Sequence, residues 1–272
     1  MQNVAPPPFT WPELLYLRLS EDGLCLARYE KGIRSGFPYS ARRLSPQSAA
    51  EELLREACQT DPVAQGPTRN VEVVVSGSVT PVPLTYFQEE YCETYFDYCF
   101  PNEGKKRRVF YDTVAAANVV LLFSLEDRLC RAVEEHFENV HYTATLTAVV
   151  RHFAMKDERT RASRSLYAYC HESACDVAVF AEGQLQLLNT YRVNEATDAA
   201  YYILNVAKEL KLDLLRTPLQ IAGTAELRAA IGEELQKYAQ NVLHLNPIAE
   251  FQRHPVAQKA GIPYDLMTLL ID

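Results

Sequence analysis

The sequence predicts a two-lobed α/β protein in which one βββαβα unit occurs twice. Three observations lead there. Short apolar runs separated by polar turns come in groups of three, and each group is followed by a stretch with helical periodicity and then by a compact apolar strand. The first group also superposes on the second without a gap at an offset of 151 residues. At that offset Leu15-Tyr16 falls on Leu166-Tyr167, Glu21 on Glu172, Tyr29 on Phe180 and Gly32 on Gly183, so turn and core positions agree together, as an internal repeat requires.

The first copy opens with Leu14 to Leu19, the turn Ser20-Glu21-Asp22-Gly23, a second strand Leu24 to Tyr29, the turn at Lys31-Gly32 and a third strand from Ile33 to Tyr39. Ser45-Pro46-Gln47 reads as a helix start, leading to a helix from Ser48 to Cys58 with Ala49, Ala50, Leu53, Leu54 and Ala57 at helical spacing. Val71 to Val75 is a buried strand after that crossover. The half continues with an aromatic helix (Leu84, Phe87, Tyr91, Tyr95), strands near Val109 to Tyr111 and Val119 to Phe123, and helices around Glu126 to Phe137 and Ala144 to Phe153. Met155 to Arg164 reads as a charged link between the halves, giving lobes at 1–157, with a short proline-rich N-terminal arm, and 158–272. The second copy runs through Leu166 to Cys170, the turn His171-Glu172-Ser173-Ala174, Cys175 to Phe180, the turn Glu182-Gly183 and Gln184 to Val193. It then gives a helix from Asn194-Glu195 to about Leu210, the strand Leu219 to Ala222, the helix Ala225 to Lys237 and a short strand at Val242 to Leu245.

Composition narrows the function classes. Of 272 residues, 48% are hydrophobic and 23% charged, the balance of a folded soluble protein. No apolar run approaches the ~18–20 residues that cross a bilayer; the longest candidate, Val114 to Phe123, is broken by Asn118. The start of the chain, Met1 to Pro8, has neither the basic head nor the apolar middle of a secretory signal, which points to the cytoplasm. The seven cysteines (25, 58, 92, 99, 130, 170 and 175) are odd in number and mostly embedded in apolar stretches, as reduced buried thiols are. A net charge of −8 argues against a dedicated nucleic-acid binder.

Three antiparallel strands, a crossover helix, a parallel strand and another helix, all repeated, are the plan of the duplicated ribonuclease H-like, or actin-like ATPase, fold. In it each lobe carries a mixed five-stranded type of sheet with crossover helices. Ala174 to Phe180 resembles the strand that follows the second phosphate loop in FtsA-like and PilM-like proteins. Thr80-Pro81-Val82-Pro83 followed by Phe87, and the tail Ile262-Pro263-Tyr264-Asp265-Leu266-Met267, resemble a family of uncharacterised proteins from Bacteroidetes with an actin-like fold. That likeness extends over nearly the whole chain and implies the fold, while the likeness to FtsA-like and PilM-like proteins implies protein partners.

An active actin-like ATPase needs backbone amides close to the phosphates, which favours glycine, and acidic side chains for Mg²⁺ and the attacking water. The family pattern departs at three places. At the first phosphate loop Ser20-Glu21-Asp22-Gly23 keeps only Gly23. At the second, counting back from Asp176, the acidic position falls on Tyr169 and the glycine positions on His171, Glu172 and Ser173. Glu172 brings negative charge toward a polyanion with no basic residue in the turn that obviously offsets it. At the adenosine end, Gly223-Thr224-Ala225 retains one glycine. The reading is a non-hydrolysing member with no cofactor, acting as a scaffold or adaptor for an unknown protein partner or by self-association. Its alternative is a divergent ATPase or phosphotransferase using the inter-lobe cleft, with Asp22, Glu172 and Asp176 for Mg²⁺ and the Gly223 turn for the base.

Other constellations have plainer roles. Cys170, His171 and Cys175 have zinc-ligand chemistry, but strand alternation separates Cys170 from His171 and a fourth ligand is missing. Cys92 and Cys99 fit two core thiols. Lys105-Lys106-Arg107-Arg108 fits a solvated loop better than an RNA or lipid contact, and Gly104-Lys105 lacks the rest of a phosphate-loop motif. From Tyr86 to Phe100 there are seven aromatics, more than one helix face hides, so part is core and the surplus a candidate protein-binding patch. No Gly-x-Ser-x-Gly elbow occurs, and Ser76-Gly77-Ser78 has no recognisable base or acid.

Overall fold

The computed structural model describes residues 13–30, 37–45, 47–66, 70–101, 106–160, 163–251 and 254–271. In chain order the elements are β1 (Glu13–Ser20), β2 (Gly23–Glu30), β3 (Tyr39–Arg43), α1 (Ala50–Thr60), β4 (Asn70–Val75), β5 (Val79–Pro83), α2 (Cys92–Cys99), β6 (Arg107–Val114), β7 (Val119–Glu126), α3 (Asp127–Glu134), β8 (Asn139–Ala144) and α4 (Thr145–Thr160). They continue with β9 (Arg164–His171), β10 (Ala174–Ala181), β11 (Gln184–Arg192), α5 (Ala196–Glu209), β12 (Leu219–Gly223), α6 (Ala225–Leu235), β13 (Val242–His244), α7 (Pro247–Glu250) and α8 (Tyr264–Ile271). The chain divides into two compact units, one of residues 1–113 and 120–147 and the other of residues 114–119 and 148–272, so the division passes through α4.

The duplication is visible in the hydrogen-bond register. The first unit holds a five-stranded sheet in the order β3-β2-β1-β4-β8 and the second one in the order β11-β10-β9-β12-β13. In both, the first three strands are antiparallel and the last two join parallel. The β1–β2 hairpin pairs Leu15 with Arg28 and Ser20 with Gly23; the β9–β10 hairpin pairs Leu166 with Val179 and His171 with Ala174, the same register shifted by 151. Leu15 then lies beside Val71, and Leu166 beside Leu219.

The sheets form because their strands are apolar where they meet helices. In the second unit Leu166, Ala168, Cys170, Cys175, Val177 and Val179 pack with Ile203 and Val206 of α5 and with Ile231 and Leu235 of α6. The other face of β9 presents Ser165, Tyr167, Tyr169 and His171 by alternation, and there Phe153 of α4 stacks on Tyr167 at 4.6 Å. Both faces are covered, which is why β9 reads as an unbroken apolar run.

Several sequence expectations are corrected. The third strand is Tyr39–Arg43, not Ile33 to Tyr39; residues 33–36 lie outside the described residues, and Phe37-Pro38 are not strand. Pairing with β2 sets the strand, with Gly23 opposite Arg43. The helix after it starts at Ala50 with Ala49 as an N-cap lacking a side-chain bond, while Ser45 and Ser48 bond each other at 2.7 Å; Pro46 is outside the described residues. The aromatic helix is two 3₁₀ turns, Leu84–Tyr86 and Glu89–Tyr91, followed by α2. The charged link is largely helix, since α4 runs to Thr160. Of its charges Glu158 and Arg159 are exposed, while Asp157 is buried beside Phe153 and Ala154 and accepts the Gly183 amide at 3.2 Å.

Strands β5 and β8 have no counterpart in the sequence reading. β8 completes the first sheet beside β4, and β5 joins β7 and β6 in a three-stranded sheet, order β5-β7-β6, inserted between β4 and β8. Phe96, Val120 and Leu122 form the core of this insertion, with Phe87, Phe100 and Tyr111 packed around them. Asp112 of β6 anchors the start of α4 by accepting from Thr143 Oγ1 at 2.8 Å, from the Ala144 amide at 2.9 Å and from Thr147. Among the described residues no helix is long and apolar enough to cross a membrane.

Leu17, fully buried at the centre of β1, gives the plainest test of the first core. Leu17→Ala lowers the unfolding free energy by about 2–5 kcal/mol through lost burial and the cavity left behind, read from urea denaturation midpoints.

Candidate functional site

The second-unit turn between β9 and β10 is where the family pattern places the second phosphate loop. His171 ends β9, and Asp176 is the third residue of β10. Antiparallel pairing puts Asp176 beside Tyr169 on one side and Thr190 of β11 on the other. Asp176 is only 3% exposed, and a carboxylate that buried needs donors. It has them: His171 Nε2 donates to Oδ2 at 2.7 Å, and Thr190 Oγ1 donates to Oδ1 at 2.6 Å.

The other ring nitrogen of His171, Nδ1, bonds the Glu172 carboxylate. Burial alone disfavours the charged ring, but the attraction of Asp176 and its hydrogen bond, with those of Glu172, outweigh it and push the His171 pKa up to about 10. The imidazolium is therefore clamped between two carboxylates. The sequence-based expectation that nothing basic in this turn offsets Glu172 is corrected: His171 does.

Tyr169 extends the network inward. Its ring stacks on His171 with centroids 4.5 Å apart, and its hydroxyl donates to Asp265 Oδ2 at 2.8 Å. Asp265 is fully buried on α8. Thus the family's acidic position holds a phenol tied to a carboxylate from the C-terminal helix. At the glycine positions, Glu172 keeps a positive φ of 40°, so the backbone is glycine-like while a side chain stands on it. Ser173 accepts the Val193 amide at 2.8 Å through its carbonyl.

The surviving glycines are explained by strand packing. Gly23 has φ 147°, and a Cβ there would sit 2.0 Å from the Arg42 carbonyl oxygen; Gly223 has φ 136°, and a Cβ would sit 2.4 Å from the Cys170 carbonyl oxygen. Both close approaches lie inside the molecule. Thr224 is the N-cap of α6, its hydroxyl accepting the Leu227 amide at 3.3 Å. One turn later Arg228 reaches back, donating to the carbonyls of Gly223 at 3.1 Å and Leu245 at 2.6 Å.

Of the proposed magnesium carboxylates, Glu172 and Asp176 meet at His171, while Asp22 belongs to the first unit. Asp22 is exposed there, and its carbonyl accepts the Leu44 amide at 2.7 Å. Ser20 Oγ donates to the Gly23 carbonyl at 3.3 Å, so that first turn is also held by its own backbone. Thr190, Asp265 and Arg228 went unnoticed in the sequence. The first is legible from hairpin register and the second as the one acid in the apolar run Tyr264 to Ile271; Arg228 has no signal beyond its place one turn after Thr224.

The remaining candidates resolve individually. The Cys170 and Cys175 sulfurs are 3.1 Å apart in the α5–α6 core, on the face of β9 that alternation turns away from His171. Among the described residues no group of three or more His, Cys, Asp or Glu is placed to hold a metal ion. In the basic run, Lys105 lies outside the described residues; Arg107 pairs with Asp97, and Arg108 with Asp127 at 2.8 Å and Glu134 at 2.6 Å. A pocket of about 390 Å³ lies at the other end of β10, by the turn into β11, and is lined by Asp157, Glu158, Ser163, Glu182 and Gly183 among others. It is distinct from the phosphate-loop position.

A family model described as "Protein of unknown function (DUF3822)" matches residues 13–242. None of the curated proteins matches the chain. Among solved structures, a Bacteroides thetaiotaomicron protein described as having an actin-like ATPase fold and unknown function is similar with a TM-score of 0.81 and 24% identity, over 96% of each chain. A chain of the PilM–PilN type IV pilus biogenesis complex is similar with a TM-score of 0.57 and 12% identity, over 94% of this chain and 96% of that one. The fold is thus actin-like, as the repeat in the sequence implies.

The clamp has a pH signature. Because the folded pKa of His171 lies above its unfolded value of about 6.5, the native state holds the extra proton, and this stabilisation is full below about pH 6.5 and lost as pH rises through about 10. The unfolding free energy therefore falls across that window. His171→Gln flattens the fall and, by leaving buried Asp176 without its cation, lowers stability at neutral pH by about 3–5 kcal/mol, both read from denaturation curves at a series of pH values.

Proposed function

The chain belongs to the family described as "Protein of unknown function (DUF3822)", and we propose that it is an actin-like-fold protein that does not hydrolyse nucleotide and works by binding other proteins as a scaffold or adaptor. The observation that carries this reading is the pairing of Asp176. Its two oxygens accept from His171 and Thr190, so a magnesium ion at this carboxylate competes with a charge-assisted hydrogen bond and with the positive charge of His171 beside it. Three further features support it. The Tyr169 phenol stands where an acid is expected, side chains stand at the glycine positions, and Arg228 is bonded to the Gly223 carbonyl.

A binding role draws on the insertion of the first unit, where tyrosines beyond those the core uses stand in solvent. The structural neighbour in the PilM–PilN complex belongs to an assembly of named proteins, and that is a precedent for this fold working by association. All seven cysteines are free thiols, the state that a reducing cytoplasm maintains, and we place the protein there.

The test is the thermal unfolding midpoint with and without millimolar Mg-ATP or Mg-GTP. A ligand that binds the folded state alone stabilises it by ~2.7 kcal/mol at a hundred times its dissociation constant. The expected result is no shift with either nucleotide. A shift that disappears in Asp176→Asn overturns the reading and favours a divergent ATPase or phosphotransferase.

A further inference from the structure

The outer side of the inserted three-stranded sheet carries a feature that the core does not need. Tyr86, Tyr91 and Tyr98 are 74%, 48% and 88% exposed, where tyrosines are ordinarily half hidden. They are linked. Tyr91, Tyr95 and Tyr98 follow one another four and three residues apart, the spacing of one helix face. The Tyr91 and Tyr95 rings meet edge to face at 6.2 Å, and the Tyr95 hydroxyl donates to the Tyr86 carbonyl at 3.1 Å. Tyr95 packs on the Phe96 core and ties Tyr86 and Tyr91 to it, leaving Tyr86, Tyr91 and Tyr98 in solvent, while Phe96 is fully buried.

Charge runs alongside it. Glu90, Glu93 and Asp97 are exposed and three or four residues apart, and no lysine or arginine occurs between residues 84 and 101. Exposed aromatic faces beside Glu90 and Glu93 are complementary to a guanidinium, which stacks on a ring while its edge donates to a carboxylate. The molecule already makes this arrangement once. Arg107 lies over the Phe96 ring at 5.1 Å and pairs with Asp97.

We propose that this tyrosine and glutamate stripe on α2 and the turns before it docks an arginine-bearing segment of a partner protein, each guanidinium stacking on an exposed tyrosine and pairing with a neighbouring glutamate. The proposal names the partner chemistry for the protein-binding reading and rests on it. The two fail separately. Nucleotide binding at Asp176 is read by thermal shift and does not involve this face, and failure here leaves the bonds of Asp176 to His171 and Thr190 as before.

The test is fluorescence anisotropy with three labelled peptides of equal length, each a glycine chain with evenly spaced arginines, lysines or glutamates. The arginine peptide binds, the lysine peptide binds more weakly and the glutamate peptide does not. Tyr91→Ser with Tyr98→Ser weakens the arginine peptide by about fivefold or more, and Glu90→Gln with Glu93→Gln weakens it and reduces its salt dependence. All four positions are exposed, so both double variants keep the fold, checked by circular dichroism. The proposal is overturned if the arginine peptide fails to bind, if arginine and lysine bind alike, or if the tyrosine variant binds as the unaltered protein does, since the attraction is then only that of an acidic surface.

Discussion

A carboxylate almost completely removed from water must find donors of its own, and in this protein Asp176 finds them in His171 and Thr190. His171 and Asp176 are diagonal neighbours on one face of the β9–β10 pair, and the two-residue turn between these strands gives Glu172 the left-handed backbone such hairpins use. The charged ring, held by Asp176 on one side and Glu172 on the other, lies flat on Tyr169, whose hydroxyl is bound to Asp265 of α8. A chain of bonds thus runs from the surface turn to the C-terminal helix, and each member satisfies the next.

The two copies separate what the fold demands from what a site demands. Their hairpins share one register, and in both a glycine stands where strands press closest, Gly23 against Arg42 and Gly223 against Cys170. Those glycines belong to the architecture. Where phosphate chemistry would ask for more of them, the second copy has His171, Glu172 and Ser173 instead. The copies also differ in what they carry: β12, α6 and β13 follow one another directly, whereas β5, α2, β6, β7 and α3 intervene between β4 and β8. That insertion has a small core of its own and leaves its tyrosines outside.

The repeat was legible because it is written in both turn and core residues, and an offset of 151 read from the sequence reappears as the shift in hydrogen-bond register. β8 was not legible. Asn139 to Ala144 does alternate polar and apolar residues, but it is six residues long between two helical patterns, and its place in the sheet comes from pairing with β4. β3 was misplaced because Tyr39 to Arg43 is mostly polar and carries no apolar run, while the ladder is set by contact with β2. At the site, Tyr169, His171, Glu172 and Asp176 could be named from position in the pattern. Their bonding could not, because Thr190 and Asp265 come from segments 14 and 89 residues beyond Asp176, and only the folded sheet brings them to it.

The central claim is that His171 is an imidazolium at neutral pH, paired with Asp176 and Glu172, and nitrogen NMR of its ring tests that most directly. At about pH 8, above the ordinary histidine value of about 6.5, the account predicts that both ring nitrogens carry protons and that adding millimolar Mg-ATP leaves their shifts in place. A neutral ring titrating near its ordinary value, or shifts that move with Mg-ATP, would contradict it.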